Sequence, residues 1–227
     1  MQAPATFPLL GGKLHLLNIP PRPTEDPLWL AATIPQLSPG SRVLDCGTGT
    51  GIAALALLIH QPHLHLEALD LDPELTRLAA QNAALNHLSL TTHTANILEN
   101  PQLPLYDAIL CNPPYHGADR GHTTPNPHKA RAHTLPAHHL TLWLHALTAL
   151  LTPAGTLHLI LHSACQPELT AFAAAHHALT ITPLQTSPNR PAKRLLATLQ
   201  ASSNPQLIHQ PTLEAFNPTL RHKALGS

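Results

Sequence analysis

The sequence predicts an α/β fold built on a mostly parallel sheet with helices on both faces, and three observations carry that prediction. Short apolar runs alternate with stretches of helical spacing along most of the chain. A Gly-rich bend, Gly47-Thr-Gly49-Thr-Gly51, joins one apolar run directly to an apolar helix. The 227 residues are 43% hydrophobic, and 25 prolines mark many short connections instead of a disordered tract. The length favours one domain over residues 1–227, with an N-terminal hairpin and helix at about 1–38 and a short tail at about 205–227.

Residues 9–17, LLGGKLHLL, read as a hairpin around Gly11-Gly12, followed by a Pro-rich connector at 20–23. Asp26 is expected to cap a helix that begins at Pro27 and carries Leu28, Trp29, Leu30 and Ala31. A short strand at 42–46 leads through the Gly-rich bend into IAALALLIH, a helix apolar on most sides. A strand at 64–71 and an amphipathic helix at 73–86, opened by Asp72-Pro73, repeat the pattern. Strands near 88–93 and 105–111 follow, then a helix at 138–151, a strand at 156–162, a helix at 166–177, and apolar pieces at 179–184 and 194–200.

Composition narrows the function. The net charge is zero, which argues against indiscriminate coating of DNA or RNA, yet the charges are unevenly placed. Residues 1–119 hold 4 Lys/Arg against 10 Asp/Glu, a balance of −6, and residues 120–227 hold 8 against 2, a balance of +6. The basic half either contacts phosphates locally or reflects chance in a chain with few charges. Cys46, Cys111 and Cys165 are too few and too scattered for a disulfide framework or a thiolate zinc site. With no basic-then-apolar leader and no apolar run of membrane length, the expectation is a cytoplasmic protein without a membrane partner. The 19 histidines, among them His138, His139, His158, His162, His176 and His177, form no recognised ligand frame, so no metal is expected. Trp29, Trp143, Cys46 and Cys111 read as core residues.

The strongest chemical signal is Asp45 followed by Gly47, Gly49 and Gly51, with the next strand ending in Asp70, nineteen residues beyond Gly51. A phosphate-gripping loop would end in Gly-Lys-Ser/Thr, which is missing here. An acidic first loop suits a cationic amino-acid moiety, and Asp70 can accept both hydroxyl protons of a ribose; S-adenosylmethionine divides in that way. The alternative is a sharp structural turn. The second signal is Asn112-Pro113-Pro114-Tyr115, immediately after the strand LYDAILC. The prolines restrict the loop, Asn112 supplies one acceptor and two donors, and Tyr115 supplies a flat stacking face, a set able to hold a planar nitrogen nucleophile.

With these motifs the chain resembles the class I S-adenosylmethionine-dependent methyltransferases, over roughly residues 10–200, and especially their amino-methylating branch. The resemblance implies a Rossmann-like, seven-stranded sheet whose last strand is antiparallel, with the cofactor across the C-terminal strand edges. It places Asp45, Gly47, Gly49 and Gly51 on the methionine side, Asp70 on the ribose, and Asn96 where the family usually has an Asp near the adenine. In the catalytic loop, Asn112 and the Pro113 carbonyl would accept from the target amino group, Pro114 would stiffen the loop and Tyr115 would stack on the base.

Within the branch the chain looks most like the tRNA adenine-N6 methyltransferases that act on adenine 37 of a valine tRNA. It shares the GGKLHLL hairpin, TEDPLWLAA, the Lys129-Ala-Arg131-Ala-His133 segment after NPPY, and Pro191-Ala-Lys193-Arg194. Relatives commonly follow that His with Arg, whereas this chain has Thr134. The resemblance implies tRNA as substrate, with Lys129, Arg131, His133, Lys193 and Arg194 as candidate contacts; the two strand-end cations also read as solvated side chains. Glutamine-N5 methyltransferases acting on release factors share the NPPY logic but usually carry a separate helical domain ahead of the Gly-rich loop, where this chain has 44 residues before Asp45. A cofactor-binding RNA-binding protein without turnover is the non-enzymatic alternative.

Overall fold

The computed structural model describes residues 5–20, 24–113 and 139–225. Strands β1 (Thr6–Leu9) and β2 (Leu14–Leu17) form an antiparallel hairpin closed by a 3-10 turn at Leu10–Gly12, as the paired glycines lead one to expect. The order then runs α1 (Asp26–Thr33), β3 (Arg42–Cys46), α2 (Ile52–His60), β4 (His65–Asp70), α3 (Pro73–Leu85), β5 (Thr91–Thr94) and β6 (Tyr106–Cys111). From residue 139 on come α4 (His139–Thr148), β7 (Leu151–His162), α5 (Gln166–Ala173), β8 (His177–Gln185), β9 (Arg194–Ala201), β10 (Leu207–His209), β11 (Leu213–Glu214) and α6 (Pro218–Leu225).

The main sheet has the order β10-β8-β9-β7-β6-β3-β4-β5, with β11 also paired to β8. Strand β9 is antiparallel to β7 and β8, and the other pairings are parallel. Seven strands and one antiparallel member match the expected core; β10 and β11, from the tail, extend its β8 edge to nine. From β3 the chain steps outward through β4 to β5, then returns to the other side of β3 as β6. The crevice at the carboxyl ends of β3 and β6 is therefore a topological switch point, where open α/β sheets bind ligands.

Each face of the sheet has its own apolar core. One buries Leu14 and Leu16 of the hairpin, Trp29 of α1 and nearly all of α2, with Leu225 of α6 at its margin. The other packs Leu144 and Leu147 of α4 and Leu169 of α5 onto Leu44, Ile109, Leu159 and Leu199. On this second face the link from β5 to β6 contains a single 3-10 turn, Ile97–Glu99. A polar cluster joins β3, β4, β5 and β6: Glu67 accepts from Arg42 Nη2 at 2.7 Å and from the Tyr106 hydroxyl at 3.1 Å, and lies 2.6 Å from His93 Nε2. Burial raises the carboxyl's pKa, but the bonds from His93, Arg42 and Tyr106 prevail and hold it below its ordinary value.

Three local expectations are corrected. Asp26 lies inside the first turn of α1, where Glu25 holds the cap position, and its carboxylate accepts from Arg194 Nε at 2.7 Å; a tertiary ion pair has taken the place of a cap. Helix α4 stops at Thr148, since the Leu150 carbonyl already accepts from Tyr106 N and Leu151 pairs with Tyr106, so β7 begins earlier than its apolar run. Helix α5 ends at Ala173, because His177 is already paired with Ala201 of β9.

His158 of β7 is buried, with its ring nitrogens 2.9 Å from Thr156 Oγ1 and 3.3 Å from Thr198 Oγ1. Burial pushes its pKa down from 6.5 to about 4. The unfolded chain therefore takes up this proton first, so the stability contributed by neutral His158 is full above pH 6.5 and is lost as pH falls toward 4. His158→Asn removes this titration. Urea unfolding at pH 7 and pH 5 should show the variant's deficit against the parent shrinking by about 2 kcal/mol at the lower pH; an unchanged deficit would contradict the assignment.

Candidate active site

The Gly-rich loop leaves β3 after Cys46 and lies across the end of β4. Gly47 N and Thr48 N both donate to the Leu69 carbonyl, at 2.8 and 3.0 Å, and Gly49 N donates to Asp70 Oδ2 at 2.8 Å. Gly51 N turns back to the Thr48 carbonyl at 3.0 Å. Four loop amides are thus engaged within the protein, whereas a phosphate cradle presents its amides to the ligand. Gly51, at φ 86°, opens α2, and a Cβ there would stand 3.1 Å from Ala79 Cβ of α3, so a close helix approach demands glycine. At Gly49, φ is 56° and nothing lies within 4 Å of a Cβ position, which leaves that side of the loop open.

Two carboxylates fix this loop. Asp45 is buried in β3, and its Oδ2 accepts from Thr48 Oγ1 at 2.7 Å and from Ala54 N at 3.1 Å. Burial outweighs those bonds and pushes its pKa up to about 6. Asp70 ends β4 with Oδ2 on Gly49 N and Oδ1 on Asp72 N, the latter at 3.0 Å. Burial raises its pKa as well. Leu71 follows at once and is 65% exposed, an apolar side chain set beside a carboxylate. Asn96, past the end of β5, accepts from Leu98 N at 3.1 Å and donates from Nδ2 to Glu99 Oε1 at 3.0 Å. Glu99 thus brings a carboxylate next to the position where charge was expected and Asn was found.

Strand β6 ends beside the loop: Cys46 and Cys111 are register partners, and both are fully buried, as small core residues should be. Asn112, half-buried, and Pro113, buried, follow directly and leave the sheet at the same edge as Gly47. Pro114, Tyr115, Lys129, Arg131 and His133 lie outside the described residues. From α4 the Trp143 ring lies 3.6 Å from a Cβ position on Gly47, so it borders the loop as well as the core. Antiparallel β9 begins at this edge, with Arg194 opposite His162 and Lys193 exposed. Arg194 is tied to Asp26, a partner that its reading as a phosphate contact did not include.

Residues 28–129 match the family model described as the methyltransferase small domain. A tRNA1(Val) (adenine(37)-N6)-methyltransferase from Aeromonas hydrophila is 33% identical over 168 residues, covering 72% of this chain and 70% of that protein. The chain belongs to the class I S-adenosylmethionine-dependent methyltransferases. Among solved structures, a chain from Agrobacterium tumefaciens described as a predicted O-methyltransferase superposes on 88% of this methyltransferase and 95% of its own length, with a TM-score of 0.68 and 19% identity, a likeness of fold. A release factor glutamine methyltransferase from Deinococcus radiodurans is 43% identical over 74 residues, 33% of this chain and 26% of that protein.

S-adenosylmethionine is the cofactor of this family, and the residues present fit it. An ionised carboxylate offers about four lone-pair positions. Beside its backbone bonds from Gly49, Asp72 and Leu71, the Asp70 carboxylate would accept from the ribose hydroxyls. The open side of Gly49 would admit the amino-acid portion, Asp45 would supply negative charge behind the loop for its cationic amine, and exposed Leu71 would offer the adenine an apolar surface. When bound, the cofactor supplies an electrophilic methyl group on a sulfonium. Three residues add to the sequence reading: Leu71, Glu99 and Trp143. Only Leu71 carried a local signal, an apolar residue directly after Asp70.

Because the pKa of Asp45 is raised in the fold, its ionised form costs stability above about pH 6 and the cost vanishes below the unfolded value of 3.8. Asp45→Asn keeps an acceptor for Thr48 and Ala54 without the charge. It is expected to gain about 3 kcal/mol of stability at pH 8, almost none at pH 3.5, and to weaken S-adenosylmethionine binding at least about tenfold by calorimetry. A destabilised variant at pH 8 with unchanged affinity would refute both assignments.

Proposed function

We propose that this methyltransferase transfers the methyl group to the exocyclic N6 of an adenine in tRNA, at position 37 of a valine tRNA. The observation that carries the reading is the in-register pairing of Cys46 with Cys111, which sets Asn112 and Pro113 beside the cofactor loop at one sheet edge. Support for the substrate comes from the relative that carries this activity and aligns with 72% of the chain. The release-factor enzyme aligns with only 33% of it.

In this mechanism the Asn112 side-chain oxygen and the Pro113 carbonyl accept from the two N6 hydrogens, which turns the nitrogen lone pair toward the methyl group. Pro114 limits the conformations of the loop, and Tyr115 stacks on the base. The nitrogen becomes cationic during transfer, and the same two oxygens stabilise it before its proton passes to water. No strong general base is required. Lys129, Arg131, His133 and Lys193 are the candidate phosphate contacts, with Arg194 joining them where it can serve both Asp26 and the RNA.

Incubation with methyl-labelled S-adenosylmethionine and either unmodified tRNA or a release factor tests the reading. Label recovered as N6-methyladenosine from a valine tRNA is expected; label confined to a release-factor glutamine, or none in either, would overturn it. Asn112→Ala should slow transfer by about a hundredfold or more with cofactor affinity held within about threefold. Comparable losses in both would move Asn112 from the reaction to cofactor binding.

A further inference from the structure

We propose that Asn82 of α3 is a positioning residue for the cofactor loop, and that through it the N-terminal hairpin supports S-adenosylmethionine binding. Asn82 is fully buried. Its Nδ2 donates to the Thr50 carbonyl at 2.9 Å, and its Oδ1 accepts from Leu17 N of β2 at 2.9 Å. A backbone N–H can only donate, so Leu17 fixes which way the amide faces and leaves Nδ2 aimed at Thr50. The hairpin therefore orients the group that holds the loop.

One turn on, at the C-cap of α3, Asn86 treats the same strand differently. Its Oδ1 accepts from His15 N at 2.8 Å and its Nδ2 donates to the His15 carbonyl at 2.6 Å, an exchange like that between paired strands. Asn86 also donates to the Asn82 carbonyl at 2.7 Å. The two asparagines thus separate two tasks: both seat the hairpin, and Asn82 alone of the pair bonds the Gly-rich segment.

Thr50 lies between the two residues that define the cofactor side of the loop. Gly49 before it donates to Asp70, and Gly51 after it rests on Ala79, one turn of α3 before Asn82. Helix α3 is anchored at its start by Asp72, which accepts from Glu74 N at 2.9 Å. A shift of the Thr50 carbonyl moves Gly49 and with it the distance to the ribose acid. Removing the Asn82 donor strands a buried carbonyl, which the loop can satisfy only by moving.

Calorimetric titration with S-adenosylhomocysteine tests this without relying on any methyl acceptor. Asn82→Asp keeps the acceptor for Leu17 but sets an oxygen against the Thr50 carbonyl, and Asn82→Ala removes both bonds. Each is expected to raise Kd about tenfold. Asn86→Ala should lower Tm yet leave Kd within about twofold, because buried Leu14 and Leu16 keep the hairpin seated. An Asn82 variant that loses Tm with unchanged Kd would overturn the proposal. Should those variants fail to fold, amide exchange in the parent chain decides: saturating S-adenosylhomocysteine is expected to slow the Leu17 amide at least about fivefold more than the His15 amide. Equal responses would overturn it.

Discussion

The suspension of the Gly47–Gly51 loop between two carboxylates is the constraint on which the rest of the site depends. Asp45 braces it from the core through Thr48 and the start of α2, and Asp70 holds Gly49 from the end of β4. Both carboxyls carry raised pKa values because they are buried, and holding a charge away from water is costly. A cofactor bringing a cation to one and hydroxyls to the other would give both charges a partner. The same arrangement occupies the loop amides and so steers the site away from phosphates.

The parallel sheet turns that loop into an active-site edge. In-register β3 and β6 deliver the cofactor loop and the Asn112 segment side by side, and the step of the chain across β3 opens the crevice between them. Elements outside the seven-strand core brace this edge. The hairpin reaches the loop through Asn82, and α6 closes on α1 through a two-pronged Arg221–Glu25 pair at 2.7 and 3.1 Å. Arg194 and Asp26 tie the start of β9 to the same helix, so the N- and C-terminal parts of the chain converge on α1.

Much of this was legible in the sequence because it is local. A strand end, an acid, three glycines and a helix in succession specify the loop, and Asp72-Pro73 specifies the start of α3, where Asp72 does cap. Asp70 and Asn112 declare themselves by ending apolar strands. What was hidden depends on partners far away in sequence. Asn82 is an unremarked helix residue until Leu17 and Thr50, 65 and 32 positions away, are brought to it. Asp26 looks like a cap until Arg194, 168 positions on, claims its carboxylate. Glu99 and Trp143 acquire their place only when the β5–β6 link and α4 are laid against the sheet.

A crystal structure of the protein with S-adenosylhomocysteine tests the central claim most directly. The account predicts both ribose hydroxyls on the Asp70 carboxylate, the amino-acid portion over the open side of Gly49, and the sulfur directed toward Asn112. A ligand whose ribose is held elsewhere, or whose carboxylate or amine sits away from the Gly47–Gly51 loop, would contradict it.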